Sequence, residues 1–151
     1  MRHLFLALSL AACGSDEPGD TTDDFDTISD APLAGVIGGV AWTFEAGETD
    51  SFLSDEDEFF ATFSSEDGEA CGFDTGSTDF ILSVPTQIGT FAFTGTRNAT
   101  FVVDGNENLI TFDGTVRVDS ISADTVEGAV YAYFDDDNEI DGTFSLTVCT
   151  E

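Results

Sequence analysis

The residues of this chain best placed to do chemistry are its carboxylates, which come in runs: Asp55-Glu-Asp-Glu58, Glu66-Asp67 with Glu69, and Asp135-Asp-Asp-Asn-Glu-Ile-Asp141 ahead of Gly142. Alternate carboxylates in a turn can converge on one hard cation, and Ca2+ takes roughly six to eight oxygen ligands. Asp135, Asp137, Glu139 and Asp141 are therefore the candidate metal ligands, with Ca2+ as the ion they would hold. The spacing departs from an EF-hand loop. Glu139 stands where Asp or Asn is wanted, and Val148 occupies the place of the bidentate glutamate. The competing account is a solvated hairpin tip whose charges keep a sheet edge from pairing with other chains.

Catalytic constellations are absent. The one histidine, His3, lies in the N-terminal stretch expected to be removed as a signal, there is no lysine, and two isolated cysteines without a partner histidine make neither a zinc site nor a CxxC pair. That removes Ser-His and Cys-His nucleophiles, Schiff-base lysines and the usual acid–base group at neutral pH. Glycosidase-like carboxylate pairs cannot be singled out among 31 acids. The chain is expected not to be an enzyme and to need no cofactor. The formal charge of −28 leaves no basic patch for nucleic acid or anionic lipid. Tyr131 and Tyr133 share one parity, opposite to Val130 and Phe134, and form a candidate aromatic binding patch if their face is exposed.

The N-terminus carries an address. A basic start at Arg2 is followed by a short apolar run, Leu4 to Ala12, too short to span a bilayer as a helix. The run ends in Leu10-Ala11-Ala12-Cys13, which resembles the lipobox of bacterial lipoproteins. That resemblance implies removal of residues 1–12 as a signal peptide, diacylation of the Cys13 thiol and acylation of the new amino terminus. It places the protein in the cell envelope on a lipid anchor. Gly14 after Cys13 carries no recognisable retention signal, so the outer membrane is favoured, with the domain facing the periplasm or the surface.

With Cys13 spent on lipid, Cys71 and Cys149 form an even pair in an oxidising compartment and are expected to make a disulfide. Residues 13–32 comprise the lipidated cysteine and a tether rich in Asp, Gly, Ser, Thr and Pro, in which only Phe25 and Ile28 are sizeable apolar groups. Such a segment buries too little to offset the entropy of ordering and is expected to be disordered. As a flexible chain it would hold the domain on the order of 25 Å from the anchor.

From Leu33 to Glu151 the pattern is that of one all-β domain: short apolar runs at period two, separated by clusters of Gly, Asp, Asn and Ser. Core positions follow from parity. They are Val36, Val40, Trp42 and Phe44 on one first strand, then Phe59, Ala61 and Phe63, then Phe80, Leu82 and Val84, then Phe91 and Phe93. Ala99, Phe101 and Val103 follow, then Val116 and Val118, then Val130, Ala132 and Phe134, then Phe144, Leu146 and Val148. No window keeps a helical period, so a helix is at most a single turn near Asp50 to Glu58. Asp104 to Asn108 and Asp135 to Glu139 are hairpin turns, and Pro85 marks a strand end. The expected architecture is an antiparallel, meander-rich β-sandwich of about eight or nine strands, with an up-and-down β-barrel as the alternative.

The domain also resembles uncharacterised secreted β-domains of bacterial lipoproteins, which open on a Gly-x-x-Gly-x-x-Trp-like strand and close on a cysteine, here Gly35 to Trp42 and Cys149. No function comes with that likeness. The expected role is a non-enzymatic binding or structural module of the envelope, with an unknown envelope protein or extracellular ligand as partner. The alternatives are a barrel carrying a small apolar ligand and an acidic Ca2+-binding domain.

Overall fold

Alternating Val, Ile, Phe and Thr become strands throughout the computed structural model, which describes residues 28–71 and 77–150. Eleven strands follow in chain order: β1 Ala34–Ile37, β2 Val40–Thr43, β3 Ala46–Asp50, β4 Glu58–Ser64, β5 Phe80–Pro85, β6 Gly89–Ala92, β7 Ala99–Val103, β8 Glu107–Thr111, β9 Asp113–Ile121, β10 Thr125–Asp135 and β11 Asn138–Val148. The protein is all-β, and no helix occurs among the described residues. Near Asp50 to Glu58 there is a turn, in which the Asp50 carboxylate accepts from the Phe52 and Leu53 amides.

The strands form one curled sheet in the order β6-β9-β10-β11-β3-β4-β5-β7-β8, with β1 beside β11 and β2 beside β1. Pairing is antiparallel except between β11 and β3, where Thr147 lies opposite Glu48 and Val148 opposite Thr49. The β7–β8, β9–β10 and β10–β11 hairpins follow the chain. Strand β6 leaves that order and pairs with β9, across the whole β7–β8 hairpin. The sheet closes into half a barrel, so that β9–β11 and β4–β5–β7 face each other across one core. Phe63 on β4 stands edge-on both to Phe80 on β5 and to Phe144 on β11, with ring centroids 5.4 Å apart in each pair. The space between the wings is filled by such side chains, each stabilising the fold by roughly 1.5–3 kcal/mol when fully buried. The arrangement combines the facing layers of a sandwich with the continuous hydrogen bonding of a barrel.

Most of the parity assignments hold. Phe63, Phe80, Leu82, Val84, Ala99, Phe101, Val116 and Val130 are buried, and Phe44, Phe59, Phe91, Val103 and Val148 pack against them. Two assignments are corrected. The run Val36 to Phe44 is not one strand, because Gly38 and Gly39 take φ values of +61° and +75° and turn β1 back on β2. Positive φ at both central residues is what a two-residue hairpin turn needs, and glycine supplies it without strain. Ile37 rather than Val36 joins the core, and Val40, just past that turn, is 69% exposed. Phe134 is also exposed, because the register of β10 on β11 shifts between Tyr133 and Asp135 and an irregularity there re-aims the side chain.

Hydrogen bonds to the sheet also reach residues before Leu33. Residues 28–32, expected to belong to the free tether, are bonded to the sheet. The Ser29 amide donates to Asp141, and Thr143 donates both its amide and its hydroxyl hydrogen to the Ala31 carbonyl. Asp30 pairs with Arg117 on β9. Cys13 and the remainder of the signal and tether lie outside the described residues, as does Gly72 in the loop before β5.

Candidate binding face

Strand β10 has neighbours on both sides, and its outward parity carries the two tyrosines. Tyr131 lies directly opposite Asp141 on β11 and Thr115 on β9, and Tyr133 lies opposite Glu139 on β11 and Asp113 on β9. Because directly opposed residues share a face, the register gathers two aromatic rings and three carboxylates in two adjacent rows. Both tyrosines are half-buried, and Glu139 and Asp113 are exposed. The Tyr133 hydroxyl donates to Asp136 at 3.3 Å. On the same face Arg117 is held by Asp119 at 2.8 Å and by Asp30 at 3.3 Å, so its charge is already matched. Ala129 and Thr115 are buried there, and the Thr115 hydroxyl has no hydrogen-bond partner.

The electrostatics of this face show in the tyrosines themselves. Burial, then the charge and hydrogen bond of Glu139, hold the Tyr131 hydroxyl above its ordinary pKa. For Tyr133 the leading cause is the charge of Asp136, with Asp135 and Glu139 adding to it. An anionic phenolate is disfavoured among carboxylates, and by the same sign a cation is favoured. Aromatic faces ringed by carboxylates suit ammonium or guanidinium groups, through cation–π attraction and ion pairing together.

The four candidate calcium ligands have separate positions. Asp135 accepts from the Asp137 amide at 3.1 Å and from the Asn138 side-chain amide at 2.8 Å. Asn138 in turn accepts from the Gly38 amide, and the Asp137 carbonyl accepts from Gly39. The acidic turn thus clasps the β1–β2 turn. Glu139 and Asp141 point to the tyrosine face, where Asp141 also receives the Ser29 amide. No three of these carboxylates bring oxygens within 4.8 Å of one another.

Among the described residues, the grouping of metal-ligand types that does meet at that distance is Glu48, Cys71 and Cys149. Its sulfurs are already bonded to each other, in a disulfide with Cα atoms 5.3 Å apart. Glu48 accepts from the Cys71 amide and lies 3.6 Å from the Cys149 sulfur. Nothing in the sequence marks Glu48. It reaches the disulfide through the β3–β11 pairing, a non-local event without a local signature.

Two further polar features lie away from the tyrosine face. Asp79 accepts from the Trp42 indole at 3.0 Å and from the Ser65 amide and hydroxyl at 2.7 and 2.6 Å. Arg97 pairs with Glu58 at 2.8 Å and lies over the Phe91 ring, at the wall of an open cleft that also includes Asp57, Gln87 and Thr96. No protein-family model, no curated protein and no solved structure matches this chain.

Proposed function

We propose that this protein is a lipid-anchored cell-envelope lipoprotein whose β domain is a non-enzymatic binding module. Signal residues 1–12 are removed, Cys13 carries the lipid, and the segment after it holds the domain off the membrane, the outer membrane by preference. The anchor rests on Leu10-Ala-Ala-Cys13 behind a short apolar run. The observation that carries the binding role is the register of β9, β10 and β11, which sets Tyr131 and Tyr133 among Glu139, Asp141 and Asp113. Such a face suits an envelope protein or extracellular ligand that presents Lys or Arg side chains. The apolar-carrier alternative has less to rest on, because the interior is filled by buried aromatic and aliphatic side chains.

The experiment is fatty-acid labelling and fractionation of wild type and Cys13→Ser, paired with capture from intact envelopes by wild type and by a Tyr131→Ser/Tyr133→Ser variant. Labelled, membrane-bound wild type and soluble, unlabelled Cys13→Ser are expected, since two or three acyl chains anchor stably. Unlabelled, soluble wild-type protein would overturn the anchor. A partner captured equally by both domain variants would overturn the tyrosine face.

A further inference from the structure

The disulfide and the carboxylate beside it form a unit that the binding role does not use. Cys71 is an exposed residue, while Cys149, whose amide donates to Thr49 on β3, is half-buried, so Cys71 is the cysteine more open to a reducing thiolate. Exchange there forms a bond between the reagent sulfur and Cys71 and breaks the Cys71–Cys149 bond, whose electron pair leaves on the Cys149 sulfur as a thiolate. A second reagent thiol then releases Cys71, so that two reagent thiols are oxidised and two cysteines reduced. The Glu48 carboxylate lies 3.6 Å from the sulfur that must accept the negative charge, and it also receives the Cys71 amide hydrogen next to the point of attack. Among the described residues no arginine shares that position, since Arg97 and Arg117 are engaged with Glu58, Asp30 and Asp119.

We propose that Glu48 is an electrostatic guard of the Cys71–Cys149 disulfide, which slows its reduction and discriminates against anionic thiols. The carboxylate acts twice. It repels an incoming anion, and it disfavours the thiolate that must leave, and exchange is slower from a poorer leaving group. Position gives Glu48 this role where other acids lack it: on β3 it stands opposite Thr147, two residues before Cys149, and the Cys71 loop folds back onto it. The bond it protects closes a loop with a sequence separation of 78 and joins the end of the last strand to the β4–β5 connection.

The test is the reduction rate of the full mature protein by three reagents, each corrected for its thiolate fraction: anionic mercaptoethanesulfonate, neutral mercaptoethanol and cationic cysteamine. The variants are Glu48→Gln, which keeps an oxygen to accept from the Cys71 amide, and Glu107→Gln as a charge control on β8, where Glu107 pairs with Val103 beside the Gly38 turn, at the other end of β11 from Cys149. Glu48→Gln is expected to react about tenfold faster with the anionic reagent and only about twofold faster with the cationic one, with the difference largely lost at about 1 M salt. Glu107→Gln is expected to match wild type with all three. Equal acceleration of Glu48→Gln by all three reagents would show no discrimination against anionic thiols and overturn the proposal. Unchanged rates would overturn it as well.

Discussion

Trp42 on β2 donates its indole hydrogen to Asp79, the residue that leads into β5, and Asp79 also takes two hydrogen bonds from Ser65 beyond the end of β4. One carboxylate therefore ties together three segments that are far apart in sequence, and it does so at the rim of the aromatic core. Burial alone would raise the pKa of Asp79, but the hydrogen bonds from Ser65, Trp42 and Ser77 outweigh it and hold the carboxyl below its ordinary value. The sign follows. The folded protein favours the ionised form, so this stabilisation is present above the unfolded value and is lost as pH falls through the folded one.

Asp79→Ala is expected to destabilise the domain by about 1–3 kcal/mol, because the Trp42 indole and the Ser65 amide lose their acceptor. The gap in melting temperature between wild type and variant should be widest at neutral pH and should narrow on acidification below about pH 4. A constant gap across that range would mean that the ionised carboxylate is not what the network uses.

Tyrosine titration gives a direct reading of the proposed binding face, because the chain contains two tyrosines and both lie there. Ultraviolet difference titration of the folded protein is expected to give phenolate formation above the ordinary tyrosine range for both. Glu139→Gln should lower the Tyr131 transition more than that of Tyr133, for which Asp136 is the leading cause. A single transition at the ordinary value would show that carboxylates do not dominate the potential at this face.

Gly142 offers a test of how the segment before β1 is seated. Its φ is +142°, and a Cβ there would come within 2.6 Å of the Leu33 Cα and 2.7 Å of the Ala31 carbonyl oxygen. Gly142→Ala therefore forces backbone against backbone. A loss on the order of 2–4 kcal/mol is expected from denaturant unfolding, at the upper end of single-substitution effects. A loss under about 0.5 kcal/mol would mean that residues 31–33 can move away from β11 without cost.

Parity and turn chemistry in the sequence specify what is local. The buried triplet Phe80, Leu82 and Val84 is legible from alternation, and so are the β7–β8 and β10–β11 hairpins, because hairpin partners are neighbours in the chain. The tyrosine face is half legible for the same reason. Tyr131 and Asp141 belong to one hairpin, but Asp113 joins them only once β9 is paired. The β6–β9 and β3–β11 pairings have no local signal, since any strand of suitable parity could take those places, and with them went the position of Glu48. The Gly38-Gly39 turn is visible in the sequence, yet the alternation continues across it and masks the break.

The acid excess leads to a prediction about salt. Three ion pairs occur among the described residues, and they use both Arg97 and Arg117, so most of the acids among the described residues have no cationic partner to offset their repulsion. The Debye length falls from about 10 Å at 0.1 M to about 3 Å at 1 M salt, which screens carboxylates on neighbouring hairpins from one another. The melting temperature is therefore expected to rise from low to molar NaCl. Ca2+ and Mg2+ at equal concentration separate a defined site from general screening. Because Asp135, Asp137, Glu139 and Asp141 do not converge, equal small gains from the two ions are expected. A gain from micromolar Ca2+ well above that from Mg2+ would restore the calcium reading and require the acidic turn to rearrange around the ion. A melting temperature that is flat or falls with NaCl would refute the repulsion argument itself, because the carboxylates would then be spaced widely enough to cost the fold little.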